Sequence, residues 1–152
     1  MIKSKGFTLL ELIVAVAIVS ILTVMAYGVY SKHMLKSDAA KVQSEMGLIA
    51  LDLEKYKGKN LSYQGYPTKA INIPKNEDVQ PKYSISIVDK DSGKVLSDLE
   101  SRGASWAIKA ESTNPENYTF LITSSGISCK NKNHEQVTYN GCGTIEQGYE
   151  SW

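Results

Sequence analysis

Residues 5–30 read KGFTLLELIVAVAIVSILTVMAYGVY, and the way this stretch is taken decides the fold. From Leu12 to Tyr30, nineteen residues run without a charge. About 20 residues at ~1.5 Å each cover the ~30 Å hydrocarbon core of a bilayer, so the segment is long enough to span one. Lys3 and Lys5 precede it and most of the chain follows. That charge bias places the N-terminus in the cytoplasm and the C-terminus outside. A secretory signal fits poorly. Ala15-Val16-Ala17 has the small-x-small form of a cleavage site, yet it lies inside the apolar run with more apolar residues after it. The anomaly is Glu11, which has Phe7–Leu10 on one side and the apolar run on the other. A carboxylate in hydrocarbon costs about 2.5–3.5 kcal/mol on insertion scales. A plain anchor has no use for it.

After Tyr30 the pattern turns amphipathic. Leu35, Ala39, Val42, Met46, Ile49, Leu53 and Tyr56 recur at spacings of four and three, which puts them on one helical face. Lys36, Asp38, Lys41, Gln43, Glu45, Asp52, Glu54 and Lys55 fill the remainder. Only about three heptads are present, so the stripe is expected to hold a domain core rather than an oligomeric coiled coil. Gly58 and Asn60 end the pattern. The predicted helix runs from about Phe7 to Lys57, ~75 Å at the usual rise. Gly28 within it lowers helix stability by about 1 kcal/mol relative to alanine but keeps its N–H.

Beyond the helix, GKNLSYQGYPTKAINIPKNEDVQPK, residues 58–82, carries Pro67, Pro74 and Pro81 and reads as an irregular loop. KYSISIV alternates like a half-buried strand up to Val88, with a turn expected at Asp91-Ser92-Gly93. ASWAIKAE and NYTFLITSS read as two more strands, and Ser124-Ser125-Gly126 as a turn into ISCK. Three or four antiparallel strands on the helix stripe make a small α+β domain, with Trp106 in its core.

The 152 residues suffice for one domain and an anchor, and the net charge of +1 contains no block of one sign. No glycine-rich phosphate loop, nucleophile elbow or pair of carboxylates in a pocket stands out, so neither an enzyme nor a cofactor is expected. Asp89 and Asp91 beside Ser92-Gly93 lack the spacing of a calcium loop and are read as a solvated turn. In a domain that leaves the cytosol Cys129 and Cys142 are expected to form a disulfide, with two free buried thiols as the alternative. With His134 between them, three of the four ligands of a structural zinc site are present, without the close cysteine pair such sites use. His33, just past the apolar run, is expected at an interface or in water.

KGFTLLELIVAVAIVSIL resembles the prepilin signature of type IV pilins, in which a basic leader ends in Gly, then Phe, with Glu five residues into the mature chain. The resemblance implies cleavage between Gly6 and Phe7 by a prepilin peptidase, and N-methylation of the new Phe7 amine. It implies that Glu11 neutralises the N-terminal ammonium of a neighbouring subunit as helices pack into a filament. A buried charge is tolerable once paired, which gives Glu11 a purpose in assembly and none in catalysis. Many type IV pilins have a proline near the position of Gly28.

The implied fold is the type IV pilin α+β fold: one long N-terminal helix on a sheet of three or four antiparallel strands, closed by a C-terminal disulfide loop. Its parts are a leader over 1–6, a membrane and assembly segment over 7–30, and an amphipathic half-helix over 31–57. A head over 58–152 follows, with the loop 58–82 and the disulfide-bounded loop 129–142. The order of WAIKA, YTFLITSSG, CKNKN, VTYNGCG and a closing Trp152 looks most like PilE-type minor type IVa pilins. Such a subunit waits in the inner membrane with its C-terminus in the periplasm, then joins other pilin subunits through the pilus assembly platform. Twitching motility, attachment and DNA uptake are processes that pili of this kind serve. Two alternatives stand beside it. A DNA-binding minor pilin would use Lys130 and Lys132 of the disulfide loop, a small basic footprint. A type II secretion pseudopilin shares the N-terminal signature, but the cysteine loop resembles pilins more.

Overall fold

The computed structural model describes residues 7–76 and 78–152. The expected leader over 1–6, and with it Gly6 of the expected cleavage point, lies outside the described residues. By backbone contacts the chain divides after Ser37 into an N-terminal unit and a C-terminal head, Asp38–Trp152.

Helix α1 spans Leu9–Asn60. It passes through Gly58 and ends at Asn60, three residues beyond the expected Lys57. There Asn60 Nδ2 donates to the Tyr56 carbonyl, Leu61 N donates to the Lys57 carbonyl, and Leu61 turns left-handed at φ 60°. Such a residue ends helices by taking up carbonyls that have no partner within them. Lys57 and Lys59 sit in the last turn, where the helix dipole favours cations.

The head carries a six-stranded antiparallel sheet in simple sequential order, β1 (Ile71–Ile73), β2 (Tyr83–Val88), β3 (Ala107–Ser112), β4 (Thr119–Thr123), β5 (Ser128–Asn131) and β6 (Glu150–Ser151). The three or four strands expected from sequence are present. The two additional ones are the sheet's outermost strands. β1 is a three-residue strand inside the stretch read as loop, and β6 is two residues long. Runs this short carry too little alternation to announce a strand.

Apolar residues pack on both faces of the sheet. On the helix side, Val42, Met46, Ile49 and Leu53 meet Ile85, Ile108 and Phe120 in a buried core. The stripe therefore faces the head, as its period implies. On the opposite side, Val88, Ala107, Leu121, Val137 and both cysteines form a second, smaller cluster. Strand β4 serves both, with Phe120 in the first core and its neighbour Leu121 in the second.

The segment between α1 and β2 is irregular but fastened along its length. Tyr63 Oη donates to Glu54, Tyr66 Oη to Asp52, Lys75 Nζ to Glu45 and Lys82 Nζ to Asp38, at 2.5–2.8 Å. As the segment advances from 63 to 82 its partners retreat from 54 to 38, so it runs antiparallel to the helix. The acidic residues outside the apolar stripe are thus attachment points for this segment. Asp38 itself is buried.

Candidate functional site

Thr8 and Glu11 close the N-terminus of α1 reciprocally. Thr8 N and Thr8 Oγ1 each donate to Glu11 Oε2 at 3.0 Å, and Glu11 N donates back to Thr8 Oγ1 at 3.2 Å. This is a capping box, which satisfies helix N–H groups that have no carbonyl one turn before them. Thr8 escaped the sequence reading, although its signal, Thr-x-x-Glu ahead of an apolar run, was in plain view.

From Phe7 to Tyr30 every side chain is exposed. Among the described residues, α1 is the one helix long and apolar enough to cross a membrane. Within the apolar run, the Ser20 and Thr23 hydroxyls donate to the carbonyls of Val16 and Val19 at 2.7 Å. Polar groups satisfied within their own helix suit a lipid environment, which offers them no water. Glu11 lines a shallow groove of about 310 Å³ whose other walls are Phe7, Leu10, Val14, Ala15 and Ile18. Among the described residues it is the sole ionisable side chain there.

Cys129 and Cys142 are joined in a disulfide, with Cα atoms 6.0 Å apart, so the free-thiol and zinc alternatives fall. His134 points elsewhere, its Nε2 lying 3.1 Å from the Asn117 carbonyl. Among the described residues no cluster of His, Cys, Asp or Glu is arranged to hold a metal. Both cysteines are buried in the second cluster, and Cys129 belongs to β5 rather than to a loop.

Lys130 and Lys132 flank the Tyr118 ring, with Nζ atoms 4.6 and 5.3 Å from its centre. Lys130 also pairs with Glu150 at 3.3 Å, and Tyr118 Oη donates to the same carboxylate at 2.8 Å. The hydrogen bond to Glu150, then burial, raises the Tyr118 hydroxyl; the same bond holds the Glu150 carboxyl below its usual range. The charge of Lys130 is therefore met within the head.

Asp89 departs most from expectation. The turn at Asp91-Ser92-Gly93 forms, but Asp89 is buried, not solvated. Its Oδ2 accepts from Arg102 N at 2.7 Å, Ser92 Oγ at 3.0 Å, Gly103 N at 3.2 Å and Ser101 Oγ at 3.4 Å. Oδ1 accepts from Asp91 N at 3.1 Å and Ser105 Oγ at 3.2 Å. Burial by itself would raise this carboxyl, but the N–H groups of Asp91, Arg102 and Gly103 and the Ser92 hydroxyl outweigh it and hold it below its ordinary range. The donors are N–H and O–H groups, so the arrangement clasps two loops together and has no room for a cation. Gly103 must be glycine: φ is +61°, and a Cβ would collide with Gln64 N and Ser62 Oγ.

Comparison with known proteins agrees with the N-terminal reading. The family model described as "Prokaryotic N-terminal methylation motif" matches residues 1–27. The fimbrial protein EcpB of Eikenella corrodens is 38% identical over 68 residues, 45% of this chain and 40% of that protein. The type IV major alpha-pilin of Moraxella bovis is 39% identical over 57 residues, 36% of each chain. A type IV major fimbrial protein FimA of Dichelobacter nodosus is 40% identical over 50 residues, 33% of this chain and 32% of its own. The chain thus matches two-fifths or less of the length of these relatives. No solved structure matches it.

Proposed function

From a chain of the type IV pilin family, with the prepilin methylation motif at its start, we propose a structural subunit of a type IV pilus. A prepilin peptidase cuts between Gly6 and Phe7, the Phe7 amine is methylated, and the subunit waits in the inner membrane with its head outside. The assembly platform then inserts it into the filament or its tip complex beside other pilin subunits. Glu11 pairs there with a neighbour's N-terminal ammonium. The motif order in residues 58–152, which resembles that of minor pilins, supports a minor subunit that contributes to pilus biogenesis and to twitching, adhesion or DNA uptake. One observation carries the reading: an exposed apolar helix face from Phe7 to Tyr30 whose single carboxylate sits four residues after the expected new N-terminus. Lys130 is committed to Glu150 and Tyr118, which gives nucleic acid little to hold.

The test is the intact mass of this protein in filaments sheared from native cells, with its ratio to the dominant subunit. A species beginning at methylated Phe7, at a low ratio, supports the minor-pilin reading. A high ratio makes it the major subunit. Retention of the processed form in the membrane, with none in the filaments, overturns the structural role.

A further inference from the structure

We propose that Thr8 is a positioning residue for Glu11: it holds one carboxylate oxygen and leaves the other for the ammonium of a second copy. The inference rests on the filament reading above. Both Thr8 donors converge on Oε2, while Oε1 makes no hydrogen bond among the described residues. The pairing partner can therefore be met without dismantling the helix cap.

The box also bears on the period before assembly. Charged and polar groups taken from water need partners, and the first N–H groups of a helix need acceptors. Thr8 and Glu11 answer each other's need within four residues, all of them downstream of the expected cut, so cleavage leaves the box intact. Among the described residues, the apolar groove around Glu11 offers no other ionisable side chain to do this. A hydroxyl at position 8 keeps the carboxylate tolerable in lipid and fixed in direction when the second copy arrives. Directional hold of this kind is what a single charge pair requires to act as a register device.

Thr8→Val removes the hydroxyl at nearly constant volume, and Thr8→Ser keeps it. The measurement is incorporation into sheared filaments, divided by the processed subunit in the membrane so that cleavage and level drop out. Loss of a cap interaction corresponds to a fall of about fivefold for Thr8→Val, with Thr8→Ser near the parent. Adding Thr8→Val to Glu11→Gln should cause little further loss, because both act through one carboxylate. In micelles, amide exchange at Glu11 should quicken in Thr8→Val and not in Thr8→Ser. Unchanged incorporation and exchange in Thr8→Val overturns the proposal, as does a Thr8→Ser variant as impaired as Thr8→Val. Absence of the parent chain itself from filaments is a different result, which refutes the filament reading and takes this inference with it.

Discussion

Trp106 and Glu54, fifty-two residues apart in sequence, meet where the indole Nε1–H donates to Glu54 Oε1 at 3.1 Å. The same oxygen accepts the Tyr63 hydroxyl at 2.8 Å. One helix carboxylate thus serves a residue just before β3 and a residue of the segment that runs back along α1. Both donors belong to buried side chains. Glu54→Ala leaves them without an acceptor, and each such group costs about 1–3 kcal/mol. Urea unfolding of the full chain in micelles, followed by near-ultraviolet circular dichroism, should show a clear drop in midpoint. An unchanged midpoint would mean that water or another acceptor replaces the carboxylate without loss.

Tyrosine ionisation reports the same packing. Burial, then the bond to Glu54, pushes Tyr63 up to about 12. Burial, then Asp52, does the same to Tyr66, and burial raises Tyr83 to about 12. Unfolded tyrosines ionise near 10. A raised folded value makes the stabilisation complete below pH ~10 and lost as pH climbs toward ~12. Absorbance at the tyrosinate band should therefore rise in two stages, with these three residues last. A single transition near 10 with the fold intact would contradict the burial.

Asp89 contributes to the acid limb. Its folded value is depressed, so its contribution is present above the unfolded value of about 3.9 and is lost as pH falls through the folded one. Asp89→Asn puts an amide among donors that want an acceptor, at a cost of about 2–3 kcal/mol at neutral pH. The difference between parent and variant should shrink below pH ~4. A constant difference across the acid range would remove Asp89 as the titrating group.

Breaking the disulfide should destabilise the head by about 3 kcal/mol in the chain-entropy account. Cys129→Ser/Cys142→Ser is expected to unfold at lower urea and to reach a lower level in cells. Coincident unfolding of variant and parent would show that the buried cluster around Val137 and Leu121 holds residues 129–142 unaided.

Glu11→Ala should be cut after Gly6 as the parent is, yet enter filaments poorly. Mass and yield of sheared filaments, compared with the processed form in the membrane, separate the two steps. Normal incorporation would remove charge pairing from the account of assembly.

Local signals were legible because their causes are local. The apolar run declares its length, the four-and-three spacing declares the buried face of α1, and Gly126 declares its turn, each from residues within a few positions of one another. The Thr8–Glu11 box is equally local, since Thr-x-x-Glu ahead of an apolar run is all it needs. β1 escaped because Ile71–Ile73 is a strand only by pairing with Tyr83–Ile85.

By itself, then, the sequence determined the long helix, the face it buries, the four central strands and the candidate disulfide, through periodicity, turn chemistry, the length of an apolar run and cysteine usage. Only the tertiary structure decided what the acidic residues do. Asp38, Glu45, Asp52 and Glu54 read only as the polar remainder of the helix, because a charge pattern on one helix carries no information about donors up to fifty-two residues away. Asp89 read as a surface turn for the same reason. A carboxylate is stable inside a protein only when enough N–H and O–H groups converge on it, and that convergence is a property of the folded chain.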